Sequence, residues 1–139
     1  MNRMTEKITL MEAYLIEHLR QANIADDTIK ERVKAKEAAS FAYVHDTFDF
    51  TLLHELADEI DAILDEGYEV RFLTFKGLYS LLELKFNKEK DVDYDVEEFT
   101  ISRLQLTEVE INTLKQLVSA NWEIEIKEDG VTIAPVHVR

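Results

Sequence analysis

The amino-acid sequence predicts an α+β fold, with helices in the first half of the chain and mostly strands in the second. The apolar residues up to Gly67 recur with a helical period, whereas many of those after it alternate with polar residues. The chain has 139 residues, three glycines and one proline, and no linker is visible. We therefore expect residues 1–139 to form a single α+β domain. Three N-terminal helices should pack on a mostly antiparallel sheet of about five strands, with one further helix before a C-terminal β-hairpin.

Local capping signals mark the helix starts. Two threonines, each with a glutamate three residues later, form capping boxes: Thr9 with Glu12, and Thr107 with Glu110. The boxes predict helices that end near residues 22 and 120. Between them, Asp27 is the expected N-cap of a second helix that runs to about Val44. A third helix is predicted over residues 51–66, ended by Gly67.

The strands follow this third helix. Glu69–Phe75 and Phe99–Leu106 are predicted strands. Leu78–Phe86 also alternates and is interpreted as a strand, although a helix over the same residues stays open. Asp129-Gly130 then turns the chain between the two strands of the hairpin. Pro135 predicts that the last strand lies at a sheet edge, where it could pair with a second chain, so a homodimer is possible.

Composition and missing motifs exclude several kinds of site. With no cysteine, neither a disulfide nor thiolate ligation of zinc can form. No apolar run approaches the ~18 residues of a membrane span, and the start has no apolar signal stretch, so we expect a cytoplasmic protein without a membrane partner. P-loop, GxGxxG, GxSxG and HExxH motifs are missing, and no cofactor or catalytic residue is indicated. The alternative is a small enzyme or ligand-binding domain whose site forms only on folding.

Two metal-binding motifs are present only in part, and structural roles explain their residues better than metal ligation does. Asp91, Asp93 and Asp95 begin like an EF-hand loop, but Val96 replaces its glycine and its final glutamate is missing. His18 and the pair at 45–46 follow the ligand order of HD-type phosphohydrolases, which are all-helical. Because strands are predicted after Gly67, we interpret these histidines as helix residues without a metal.

The net charge of −13 is concentrated in two stretches. Residues 49–70 carry eight carboxylates, residues 91–100 carry five, and neither stretch contains a lysine or arginine. The rest of the chain is therefore neutral overall. This balance disfavours direct binding to a nucleic-acid backbone.

A DNA-binding helix-turn-helix is the weakest of the alternatives. Lys30, Arg32, Lys34 and Lys36 would lie on its second helix, after a short turn. Neighbouring acids offset all four charges, and Asn23 stands where a turn glycine is usual.

The third predicted helix carries the strongest functional signal. Its carboxylates lie opposite an apolar arc and repel one another, at a few tenths of a kcal/mol per neighbouring pair. A solvated surface explains this segregation, and so does a face that binds a basic partner. The candidate partner-binding residues are the acids of this helix and of the later loop: Glu55, Asp58, Glu59, Asp61, Asp65, Glu66, Asp91, Asp93 and Asp95. The leading hypothesis is a non-enzymatic protein-binding or regulatory protein. A narrower version of it is an acidic inhibitor that fills a basic groove of another protein.

Overall fold

The computed structural model describes residues 5–45, 47–118 and 120–136, and it has the predicted α+β class. The helices are α1 (Leu10–Gln21), α2 (Asp26–Lys34), α3 (Ile60–Glu66), α4 (Phe75–Phe86) and α5 (Glu108–Leu117), with 3₁₀ helices at Ala38–Tyr43 and Phe50–Leu56. The strands are β1 (Glu6–Ile8), β2 (Tyr68–Val70), β3 (Asp95–Glu97), β4 (Thr100–Leu104), β5 (Trp122–Lys127) and β6 (Gly130–Pro135). Every helix in the described part of the chain is too short or too polar to traverse a bilayer.

The strands form two sheets rather than one. Four antiparallel strands lie in the order β3-β4-β6-β5, and a separate parallel pair joins β1 to β2. In the larger sheet, Ile133 of β6 lies opposite Ile101 of β4 and Ile124 of β5, so apolar side chains line one face. The C-terminal hairpin is confirmed.

The prediction that Pro135 marks a sheet edge is wrong, because β6 lies between β4 and β5. Pro135 is the last residue of β6 and lies opposite Trp122, whereas the pairing with β4 starts only at Ile133. Its missing N–H therefore costs no hydrogen bond to β4. Val131 and Ile133 are interior and cannot pair with a second chain. A possible homodimer stays a prediction, but it would need another surface.

The strand predicted at Leu78–Phe86 is wrong, and the helical alternative is correct. Helix α4 starts after Thr74, whose hydroxyl accepts a hydrogen bond from the Gly77 N–H at 3.0 Å. Its buried residues have helical spacing and face the core: Leu78, Leu81, Leu82 and Phe86. The strand predicted at Glu69–Phe75 is also shorter, and β2 pairs with β1, a strand that the sequence did not indicate.

The second and third helices are shorter than predicted. Helix α2 is preceded by Ala25, so Asp27 is in its first turn rather than at its cap. It ends at Lys34 instead of near Val44, since Lys36 has a left-handed φ of 58° and the chain continues as a 3₁₀ helix. The region predicted as one helix over 51–66 is a 3₁₀ helix followed by α3. The cap at Thr9, the helix after Thr107 and the helix end at Gly67 are confirmed.

Candidate functional site

Two of the predicted partner-binding acids are bound within the molecule. Lys34 Nζ lies 2.6 Å from an Asp61 oxygen, and Lys30 Nζ lies 2.6 Å from an Asp65 oxygen, so the ion pairs connect α2 to α3. The hydrogen bond from Lys34 lowers the pKa of Asp61, and the bond to Asp65 raises the pKa of Lys30. These lysines are also two of the four cations considered for DNA binding. The basic face of α2 and the acidic face of α3 therefore partly neutralise each other.

Glu55, Asp58, Glu59 and Glu66 are exposed. Glu55 and Glu59 line a cleft of about 290 Å³ that the sequence did not reveal. We call it the acidic cleft; its charged residues are Glu6, Glu12, Glu55 and Glu59, with Lys7 and Arg71. It forms because β1, paired with β2, places Glu6 beside the second 3₁₀ helix.

The acids of the later loop lie in a different place. Asp93 accepts a hydrogen bond from the Glu89 N–H at 2.7 Å, and Asp95 forms an ion pair with Arg103. Asp93 and Asp95 line a polar cleft with Asp129, whereas Asp91 lies at the exposed start of the loop. The two acidic stretches thus line separate clefts and do not form one continuous surface.

A further concave surface is large and mostly apolar, and it was not predicted. It is a groove of about 880 Å³. We call it the aromatic groove; its apolar lining is Phe72, Leu73, Phe75, Phe99, Trp122 and Pro135. These residues come from the β2–α4 connection, the first turn of α4, the β3–β4 turn and the hairpin. Lys7, Glu69 and Arg71 are the charged residues that also line the groove.

Contacts between rings hold the floor of the aromatic groove. The Phe75 ring lies 5.8 Å from the Phe99 ring and 6.0 Å from the Trp122 ring, centroid to centroid. The Trp122 indole N–H donates to the Leu73 carbonyl oxygen at 2.9 Å. Because this bond satisfies the polar atom of Trp122, what the side chain presents to the groove is apolar.

Phe72 is the most unusual residue of the aromatic groove. Its side chain is 88% exposed and its backbone is left-handed, with φ of 50°. A non-glycine residue in this region costs of order 1 kcal/mol or more, and such strain concentrates at functional sites. Phe99 is also 63% exposed. No sequence signal distinguished Phe72 from a core residue, because the strand predicted at Glu69–Phe75 would place it on the same face as Val70.

The two histidines of the HD-like order do come together. The His18 and His45 rings lie 5.3 Å apart, and His45 stacks on Phe48 at 4.4 Å. His18 Nδ1 lies 2.8 Å from the Tyr14 carbonyl oxygen. Asp46 is outside the described residues. Within residues 5–45, 47–118 and 120–136, no three histidine, aspartate or glutamate side chains are arranged to hold a metal ion.

The aromatic groove and the acidic cleft adjoin each other, because Lys7 and Arg71 line both. Together they form a surface that is apolar at one end and acidic at the other. No family model, no curated protein and no solved structure matches the chain. A function is therefore inferred from the geometry of this surface.

Proposed function

We propose that the protein is a non-enzymatic binding protein that recognises another protein through the aromatic groove. The observation that carries the proposal is Phe72, a strained and almost fully exposed aromatic residue at a groove of about 880 Å³. Concave apolar surfaces of this kind mark interaction sites. Aromatic side chains contribute most of the affinity at many protein interfaces.

The composition of the aromatic groove favours binding over catalysis. An active site needs convergent polar and titratable groups within reach of a reacting atom. Among the described residues, the charged lining residues are Lys7, Glu69 and Arg71, no histidine lines the groove, and most of the lining is apolar. The enzyme alternative has less support for this reason.

The narrower hypothesis of an acidic inhibitor also has less support. Its continuous acidic helix is interrupted between Leu56 and Ile60, and Asp61 and Asp65 already bind lysines of α2. Those lysines are engaged as well, which weakens the helix-turn-helix alternative. Charge recognition is better supported at the acidic cleft, which contains Glu55 and Glu59 and shares Lys7 and Arg71 with the aromatic groove.

Affinity capture from an extract of the source cells tests the proposal. The double variant Phe72→Ser and Phe99→Ser removes two exposed rings, so the fold should survive while a partner held by the groove is lost. Tyr43→Ser is a matched control, since Tyr43 is 79% exposed and does not line the groove. A partner retained by wild type and the control but lost from the double variant supports the proposal. A partner equally retained by all three proteins contradicts it.

A further inference from the structure

We infer that the partner segment bound in the aromatic groove carries lysine or arginine next to its apolar anchor, and that these cations lie in the acidic cleft. This inference rests on the proposed function and adds the chemistry of the partner. It requires that the groove and the cleft be continuous, that the cleft have excess negative charge, and that a short extended segment fit along both.

Continuity follows from the residues that the two depressions share. Lys7 and Arg71 line both the aromatic groove and the acidic cleft. Arg71 is next to Phe72 in the chain, so the boundary between the depressions is about one residue wide. A segment whose apolar side chain packs on Phe72 would therefore place its neighbouring residues beside the cleft.

The charge of this surface selects a cation. In the described part of the chain, the two depressions are lined by five glutamates and two cations, which leaves an excess of three negative charges. The glutamates are Glu69 in the groove and Glu6, Glu12, Glu55 and Glu59 in the cleft, and the cations are Lys7 and Arg71. The whole chain carries −13, so its field also attracts a basic segment during encounter. A second copy of this chain would bring the same charge and the same acidic cleft, which disfavours self-association there.

The backbone next to the cleft suits an extended segment. All three residues of β1, Glu6–Ile8, line the cleft. Strand β1 is at the edge of its sheet, with only β2 paired to it in the described part of the chain. An edge strand offers backbone groups to an added strand, and this geometry places alternate side chains of the added segment on opposite sides. A short basic and apolar segment is therefore the occupant that fits best.

Selection from a random heptapeptide display library tests both the proposed binding function and the inferred chemistry of the partner segment. The library is selected in parallel on wild type and on the Phe72→Ser, Phe99→Ser double variant. We expect peptides enriched on wild type alone, with an apolar or aromatic residue followed or preceded within three positions by lysine or arginine. Wild-type-specific peptides that are neutral or acidic would overturn the inference and leave the proposed function intact. If no peptide distinguishes wild type from the double variant, the proposed function itself fails.

Affinity of the best synthetic peptide then tests the acidic cleft directly. The double variant Glu55→Gln and Glu59→Gln should weaken binding between about two- and thirtyfold at low salt, the range for two partly exposed charge pairs. Asp27→Asn with Glu31→Gln removes two exposed charges four residues apart on α2 and is the matched control. Equal weakening by both double variants would mean that only the net charge matters, and no weakening by the first would mean that the cleft does not contact the cations of the peptide. Either result would overturn the inference.

Discussion

Glu17 of α1 is a charged side chain inside the core, with only 2% of its surface exposed. Its Oε2 atom accepts hydrogen bonds from the Tyr68 hydroxyl at 2.6 Å, Lys85 Nζ at 2.9 Å and Arg20 Nη1 at 3.2 Å. Burial and the Glu17 charge raise the pKa of Tyr68. The cluster joins α1, β2 and α4 in one place. Glu17 is the anion that Lys85 and Arg20 share, and Asp26 also pairs with Arg20.

Glu17→Gln should therefore lower the free energy of unfolding by about 3 kcal/mol, because it leaves the partly buried Lys85 without its anion and Arg20 with Asp26 alone. Tyr68→Phe removes one hydrogen bond but keeps the charges, so a loss of about 1–2 kcal/mol is expected. Urea denaturation of both variants measures the difference. A Glu17→Gln protein as stable as wild type would contradict this role of the cluster.

Tyr94, unlike Glu17, has a buried polar group that nothing compensates among the described residues. Its side chain is 3% exposed and its hydroxyl has no hydrogen-bond partner in the described part of the chain. Burial raises the pKa of Tyr94 to about 12. Tyr94→Phe should raise the free energy of unfolding by about 1 kcal/mol, because it removes a buried polar group without a partner. A lower melting temperature for the variant would show that the hydroxyl is bonded after all.

The raised pKa also predicts a pH dependence. Since the folded-state pKa lies above the ordinary value of about 10, the contribution of protonated Tyr94 is complete below pH ~10 and is lost as the pH rises towards 12. Wild type should therefore lose stability more steeply than Tyr94→Phe over this interval. Parallel slopes in alkaline thermal melts would contradict the assignment.

At the scale of the elements, Gly67 controls the change of direction from α3 to β2. Its φ of 93° and ψ of 177° lie in a region that is essentially restricted to glycine. A Cβ atom at this position would also lie 2.0 Å from Gln116 Oε1. The Gln116 side chain in turn donates to the Glu66 carbonyl oxygen at 2.7 Å, which connects α5 to the end of α3.

Gly67→Ala should therefore cost about 1–3 kcal/mol, mainly through backbone strain. The background variant Gln116→Ala separates strain from the steric clash, because it removes the overlapping side chain. We expect Gly67→Ala to remain destabilising in that background, measured by chemical denaturation. Full recovery of stability there would mean that the clash, rather than the backbone conformation, was responsible.

The helix starts and the turn that are set by residues close together in the sequence could be predicted from it. The capping boxes at Thr9 and Thr107 and the Asp129-Gly130 turn act over a few residues and could be identified from the sequence. The sequence did not decide between a helix and a strand for the residues of α4, because the spacing of Leu78, Leu82 and Leu84 fits both. The cap of α4 at Thr74 also has no glutamate three residues later to complete a capping box.

At the scale of the whole molecule, the acidic surface was predictable only in part. The excess of carboxylates over 49–70 is a property of the sequence, but the ion pairs of Asp61 and Asp65 are not. Their lysines lie 27 and 35 residues away, so the pairs exist only once α2 packs against α3.

The aromatic groove was not predictable for a similar reason. Phe72, Phe99 and Trp122 belong to three separate segments, and their proximity depends on how the two sheets and α4 are placed. Exposed phenylalanines also resemble core residues when only the sequence is known. The surface that we propose as the binding site therefore forms only on folding, and it lies beside acidic residues that the sequence had indicated.

Site-specific photo-crosslinking tests most directly whether the aromatic groove binds a partner. A benzoylphenylalanine placed at Phe72 would lie in the proposed interface, and the same residue at Tyr43 is the control, because both positions are strongly exposed. After irradiation in cells, we predict an adduct of defined mass from position 72 and none from position 43. No adduct from position 72, or the same adduct from both positions, would contradict the account.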